Sequence, residues 1–262
     1  MSDQRQPIFN VPNVIVALVA VFMVIFYLQS QMDEMAQMDL LRRLAFVPAR
    51  ISLWFDPNAL ASVDMDADMQ SLAGFFVGDG ALMPWTVLTY AFLHGSWTHV
   101  LLNCLWLMSF GAAVARRFDM VRFLVFCAVT AVAGVLMHFL VHPKTIEPVI
   151  GASAIVSGCM GASMRFAFSP GAPLGDSNGL RVLSRDGAYH LPSASIKSVL
   201  GNSRAMTFFM VWFVLNLLIG IASTVFGFGD GPIAWEAHIG GFLAGFLLFA
   251  LFDTHHSSAS KG

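Results

Sequence analysis

Six stretches of this chain contain no Asp, Glu, Lys or Arg: 6–32, 80–115, 123–143, 148–164, 205–229 and 237–252. A helix that crosses a bilayer needs about 20 mostly apolar residues, and about 17 can suffice. Five of the stretches are long enough. The sixth has 16 residues, and the neighbouring Gly231–Trp235 extends it by a turn. The spacing predicts six membrane helices, near 12–30, 94–114, 122–141, 149–166, 206–225 and 234–252. Charged residues make up only 11% of the chain, against roughly 25% in soluble domains, which excludes a water-soluble monomer. The hydrophobic share of 57% excludes disorder, since so much apolar surface cannot stay solvated. A net charge of -2 offers no polybasic face for nucleic acid. The expected fold is an all-α membrane bundle forming one polytopic domain over 1–262.

Lys and Arg counts set the expected orientation. With the N-terminus cytoplasmic, ten of the 14 basic residues fall inside and only Arg42, Arg43, Arg50 and Lys144 fall outside. Both termini are then cytoplasmic. The first apolar run is too long for a typical signal-peptide core and lacks a small-x-small cleavage site, so it counts as a mature helix. Without an Arg-rich amphipathic presequence, the expected location is a bacterial inner membrane. Segment 31–84 is a long external loop with eight acidic residues and the apolar run Leu53–Trp54–Phe55. It reads equally as an interfacial segment lying on the bilayer or as a small capping subdomain. Segment 167–204, rich in Gly, Ser and Pro, reads as a flexible cytoplasmic loop. Cys104, Cys127 and Cys159 all fall in apolar runs, so a disulfide is not expected.

Polar groups in a span are costly and face the bundle interior. Those singled out here are His94, His99 and Asn103 in the second helix, and His138 with His142 in the third. Ser153, Ser157 and Ser163 lie in the fourth, and His238 in the sixth. His99 and Asn103 are four apart and share one helix face; alone, such a pair reads first as interhelical glue. Ser153 sits in Gly151–Ala152–Ser153, and alone reads as a hydroxyl bonded back to its own helix. His238 precedes Gly241 and Gly245, a small-xxx-small face that can dock closely on another helix. Ser153 and His238 each lie about four residues, or roughly 6 Å, below the outer end of their helices. A histidine beside a serine can take its proton and make it a nucleophile. Ser163, in a second Gly-Ala-Ser, lies about 15 Å deeper, out of reach of His238. No Asp or Glu is expected within a span, so the reading is a Ser-His dyad in which packing orients the imidazole. His99, Asn103 and the Ser153 backbone N–H would serve the oxyanion.

These residues resemble the rhomboid intramembrane serine proteases, over about residues 85–252. Trp85–Asn103, with His94 and the His99-x-x-x-Asn103 spacing, is similar to the family's approach to the second helix. Gly151–Ala152–Ser153 matches its G-x-S, and Ala237–His238–Ile239–Gly240–Gly241 with Gly245 matches its A-H-x-x-G-x-x-x-G. The resemblance implies a six-helix core and cleavage of transmembrane segments of other membrane proteins, in contact with membrane lipid and without a metal or cofactor. It implies that Ser153 is the nucleophile and His238 the base. His99 and Asn103 would serve the oxyanion, His94 would support the mouth of the site, and the fifth helix near Phe208–Trp212 would border the substrate's path. Gly151, Gly241 and Gly245 would support the site. Three positions depart from the family pattern. Thr86 stands where Arg is common, Ala154 where Gly is usual, and Ser157 where an aromatic often backs the histidine.

The alternative is a catalytically weak or inactive rhomboid-like protein that binds membrane helices. A haem reading of His94, His99, His138 and His238 lacks any spacing that repeats between helices. Gly227–Asp230 has the G-x-G-D form of presenilin-like proteases, but one carboxylate cannot run shared-proton chemistry. H-E-x-x-H is absent, which leaves a zinc protease unsupported.

Overall fold

The computed structural model describes residues 11–78, 80–175, 187–226 and 233–254. The Gly227–Asp230 motif, both chain ends and 176–186 of the Gly/Ser/Pro-rich segment lie outside the described residues. Among the described residues, five helices are long and apolar enough to cross a membrane: α1 (Asn13–Ser30), α5 (Trp97–Arg117), α6 (Met120–Val141), α8 (Ser203–Phe226) and α9 (Trp235–Phe252). Three shorter helices, α2 (Glu34–Leu44), α3 (Pro48–Phe55) and α4 (Ala67–Phe76), followed by the helical turns Thr86–Thr89 and Tyr90–Phe92, lie between α1 and α5. The remaining apolar helix, α7 (Ser153–Met164), has only 12 residues. Side chains such as Val24, Leu140, Leu218 and Leu251 stand exposed on the long helices. Helices apolar on every side are those of a membrane bundle, and this chain is a multi-pass membrane protein.

The sequence places most boundaries within a few residues, and local chemistry explains the rest. Ser96 caps α5 by accepting from the His99 backbone N–H at 3.3 Å, so the helix starts at Trp97 rather than at His94. Asp119 caps α6 in the same way through the Arg122 N–H at 2.9 Å. The fourth predicted helix, 149–166, shrinks at both ends. Val149 exchanges backbone hydrogen bonds of 2.8 and 3.2 Å with Phe46. The Gly151 N–H donates to the Tyr90 carbonyl at 3.0 Å. Gly151 itself has φ +109°, which no helix permits and which favours glycine. Ser153 is therefore the first residue of α7 and not four residues into it.

At the core, α7 is wrapped by the other helices: every residue from Ala154 to Met164 is buried. Its contact with α9 is between backbones. A Cβ built on Gly241 would stand 2.1 Å from the Ala154 carbonyl oxygen, and one on Gly245 would stand 2.0 Å from that of Gly158. Advancing four residues along each helix keeps them in contact, so α7 and α9 run parallel. Ala154, the departure from Gly, fits because Gly134 of α6 faces its methyl.

Segment 31–84 is folded rather than a simple loop. Asp33 and Asp66 cap α2 and α4. Val47, Ala49, Phe76, Val77 and Ile146 form a small second core. Trp54 and Phe55 are 60% and 80% exposed. The buried Arg50 guanidinium donates to the Phe76 carbonyl at 2.9 Å and to the Arg42 carbonyl at 2.5 Å. Trp85 donates to the Arg43 carbonyl at 2.8 Å. Arg50 thus supplies the cationic anchor of this cap, while Thr86 makes only a local bond to the Met83 carbonyl.

At the end of the bundle away from Ser153, Arg117 pairs with Asp253 through bonds of 2.9 and 2.8 Å, and both side chains are fully buried. Arg117 also donates to the carbonyls of Tyr189 and Leu191, and Arg165 to that of Ala194. The described part of 167–204 is therefore tied down, and it includes a short helix, Ile196–Leu200. Removing one partner of a buried pair strands the other charge. Arg117→Met is expected to cost about 3–5 kcal/mol, read as a lowered thermal midpoint in detergent; an unchanged midpoint would refute this.

Candidate active site

The backbone turn at Gly151 brings the second-helix polar pair to the start of α7. A Cβ on Gly151 would lie 2.5 Å from His99 Nε2 and 3.8 Å from Asn103 Nδ2. Both donors therefore converge on the segment two residues before Ser153. The His99 tautomer follows from its other nitrogen. The Gly95 N–H points at His99 Nδ1 over a long 3.5 Å, which makes Nδ1 the acceptor and leaves the proton of a neutral ring on Nε2. One N–H of the Asn103 amide goes to the His99 carbonyl at 3.1 Å. An amide nitrogen has two donors, so a second one remains.

His94 is fully buried. Its ring packs edge-on against His99 at 5.0 Å and near Phe22 at 5.6 Å. Its carbonyl accepts from Gln29 at 2.9 Å, which ties this turn to α1. His94 shapes the bed on which His99 rests.

On the other side, His238 occupies the first turns of α9, one turn before Gly241. The Ser153 hydroxyl and the His238 ring are not hydrogen-bonded to each other in this structure. Their neighbourhoods meet through the Gly241–Ala154 backbone contact and through Ala237, whose carbonyl lies at Gly134 beside Ala154. Resting enzymes often hold such pairs beyond bonding distance until substrate binds. Ser163, the second Gly-Ala-Ser serine, donates to the Cys159 carbonyl of its own helix at 2.8 Å. It is a back-bonded structural hydroxyl. The three cysteines are free and buried.

Two groups at this site escape the sequence reading. His238 Nδ1 lies 2.6 Å from Oδ1 of Asn216 on α8. Asn216 Nδ2 donates to the Trp235 carbonyl at 3.3 Å, which turns the amide oxygen toward the imidazole. Because Oδ1 can only accept, Nδ1 carries the proton and Nε2 keeps its lone pair. The histidine is thus oriented by a hydrogen bond as well as by packing. Glu236 is the second. It lies in the first turn of α9, buried, and contacts His138 and His142, so a carboxylate does lie within a span. An Asn in the fifth hydrophobic run and a Glu at the edge of the sixth were the available signals.

Along α8, Trp212 stacks on Phe242 with ring centres 4.2 Å apart, and Phe209 packs on the same ring at 5.5 Å. A Cβ on Gly220 would touch the Trp235 ring. This helix is the least buried of the five spans.

A family model described as the Rhomboid domain matches residues 81–174 and 187–254. The chain belongs to the rhomboid family. Among curated proteins it is similar to the RHOMBOID-like protein 5 of Arabidopsis thaliana, 24% identical over 91% of this chain and 65% of that one. RHOMBOID-like protein 6, mitochondrial, of the same plant is 25% identical over 94% of this chain and 69% of its own length. The Rhomboid protease GluP of Bacillus subtilis (strain 168) is 35% identical over 85 residues, which are 32% of this chain and 16% of that protein. The chain thus spans between about half and about two thirds of the length of the plant relatives it matches. The rhomboid match covers every residue placed at the site, from His94 to Gly245.

Proposed function

We propose that this rhomboid is an intramembrane serine endopeptidase that cleaves transmembrane segments of other membrane proteins. The observation that carries the reading is the convergence of His99 and Asn103 on Gly151, two residues before Ser153, while Gly241 and Gly245 hold the His238 helix against the same strand of backbone. Ser153 attacks the scissile carbonyl, and His238 Nε2 takes its proton as general base. His238 then returns that proton to the leaving amine. Asn216 holds the Nδ1–H tautomer and stabilises the imidazolium, the role an acidic or amide third residue plays in triads. His99 Nε2–H and the free Asn103 N–H donate to the developing oxyanion, each worth about 3–4 kcal/mol of barrier. Both termini are placed on the cytoplasmic side, as the Lys and Arg asymmetry supports, with 31–84 on the outer face. There the exposed Trp54 and Phe55 rest at the bilayer interface. One relative is named mitochondrial and another is bacterial, so the family alone does not select the membrane.

Labelling with a fluorophosphonate tests this reading. The adduct is expected on Ser153 and is absent in His238→Ala. In Asn216→Ala the labelling rate falls by about 100-fold, since the imidazole can then flip to the wrong tautomer. Label on another serine, or equal labelling of His238→Ala, would overturn the assignment. Helix binding without any labelling would favour the inactive, helix-binding alternative.

A further inference from the structure

The pair His138 and His142 plays no part in the proposed proteolysis, yet the two rings meet one carboxylate. His138 Nδ1 lies 3.2 Å from Glu236 Oε2, and His142 Nε2 lies 2.8 Å from Glu236 Oε1. The candidate ligand atoms of the three residues all lie within 4.8 Å of one another. His138 lies in the last turn of α6 and His142 is the residue that caps its C-terminal end, and their ring centres are 5.2 Å apart. The carboxylate comes from the first turn of α9, across the Gly240–Ala133 close approach of the two helices.

The geometry points to a divalent transition-metal site of the zinc class, built from His138, His142 and Glu236. Zinc takes imidazole nitrogen and carboxylate oxygen at about 2.0–2.2 Å in a tetrahedron, which sets neighbouring ligand atoms roughly 3.3 Å apart. The two nitrogen–oxygen separations, 3.2 and 2.8 Å, lie just below that value, so the His142 ring has to draw back from the carboxylate by about half an ångström to admit an ion. Two imidazoles and one carboxylate are a donor set that suits zinc over the hard cations magnesium and calcium. The side chains of His138 and Glu236 are 9% and 7% exposed, whereas that of His142 is 45% exposed. The site therefore has a dry floor and an open fourth position that a water fills. Neutral imidazoles and an ionised carboxylate leave a bound dication with one net positive charge. Bound there, the ion clasps the end of α6 to the start of α9, two residues from His238.

The test does not depend on proteolysis. The full chain, purified in detergent with any affinity tag removed and stripped with chelator, is titrated with Co2+. One Co2+ per chain is expected to bind, giving the visible ligand-field bands of a low-coordinate nitrogen-oxygen site, and Zn2+ should displace it. The bands are retained when His255 and His256 near the chain end are both replaced by Ala. Even outer-shell partners change metal affinity by about 10- to 100-fold, so His142→Ala and Glu236→Gln should each weaken binding by about 100-fold or more. Zn2+ should raise the thermal midpoint of the parent protein by several degrees and leave those of the variants unchanged. His142→Ala removes a half-exposed ring and keeps the His138–Glu236 contact, so it reports on the site even if Glu236→Gln fails to fold. No saturable bands, bands lost with His255 and His256, or binding undiminished in His142→Ala would each overturn the proposal.

Discussion

Ser153→Ala is expected to abolish cleavage of a membrane-anchored test substrate while leaving the fold intact. Removing the nucleophile of a serine hydrolase leaves only the oxyanion donors and substrate binding, a loss on the order of 10^4- to 10^6-fold. The hydroxyl makes no hydrogen bond among the described residues, so the thermal midpoint should stay within about a degree or two of the parent. Ser163→Ala is the matched control. Its hydroxyl is spent on the Cys159 carbonyl, so activity should persist within a small factor. Cleavage that continues in Ser153→Ala, or is lost instead in Ser163→Ala, would remove the basis for the protease assignment. The measurement is product formed per minute in proteoliposomes, compared at equal amounts of folded protein.

The second large effect concerns packing. In Gly245→Val the new Cβ would begin 2.0 Å from the Gly158 carbonyl oxygen and 2.6 Å from its carbon. Ordinary contact starts near 3.4 Å, so α9 must back away from α7 by at least ~1.4 Å. Overpacking of this kind costs about 1–3 kcal/mol and sometimes more. The functional loss is larger, because a misplacement of about 1 Å can cost on the order of 100-fold in rate. His238 travels with α9, away from Ser153 on α7 and from its contact with Asn216 on α8. Fluorophosphonate labelling of Ser153 in folded Gly245→Val should therefore slow by about 100-fold or more. Labelling at the parental rate in that variant would show that the tight α7–α9 contact is not what positions the base.

Much of this site can be read from local spacing. The i, i+4 relation of His99 and Asn103, the glycine before Ser153, and the spacing from His238 to Gly241 and Gly245 are each set within a few residues of chain. What the spacing hides is set by distance along the chain. Asn216 lies 22 residues from His238, on a different helix. Glu236 reads as the boundary of a hydrophobic run, until helix α9 begins one residue before it. Arg117 and Asp253 are 136 residues apart, and both look like ordinary ends of spans. Counting charge-free residues also overestimates α7. The run 148–164 includes Val149, which pairs with Phe46, and Gly151, whose φ ends any helix. Absence of charge measures solubility in lipid, and helicity is a separate condition.

The brevity of α7 has a consequence for biogenesis. Twelve residues rise about 18 Å, too little to cross a hydrocarbon layer of about 30 Å. Its approach is pinned from another segment, since the Gly151 N–H just before it donates to the Tyr90 carbonyl, while its last carbonyls are met by the N–H groups of Arg165, Phe166 and Ala167. A polypeptide emerging from the ribosome cannot park this piece in lipid as a free-standing rod. It must wait for its walls, and the last of them, α9, is also the last to be translated. On the proposed reading, Ser153 at the start of α7 is therefore kept idle until the whole enclosure closes around it.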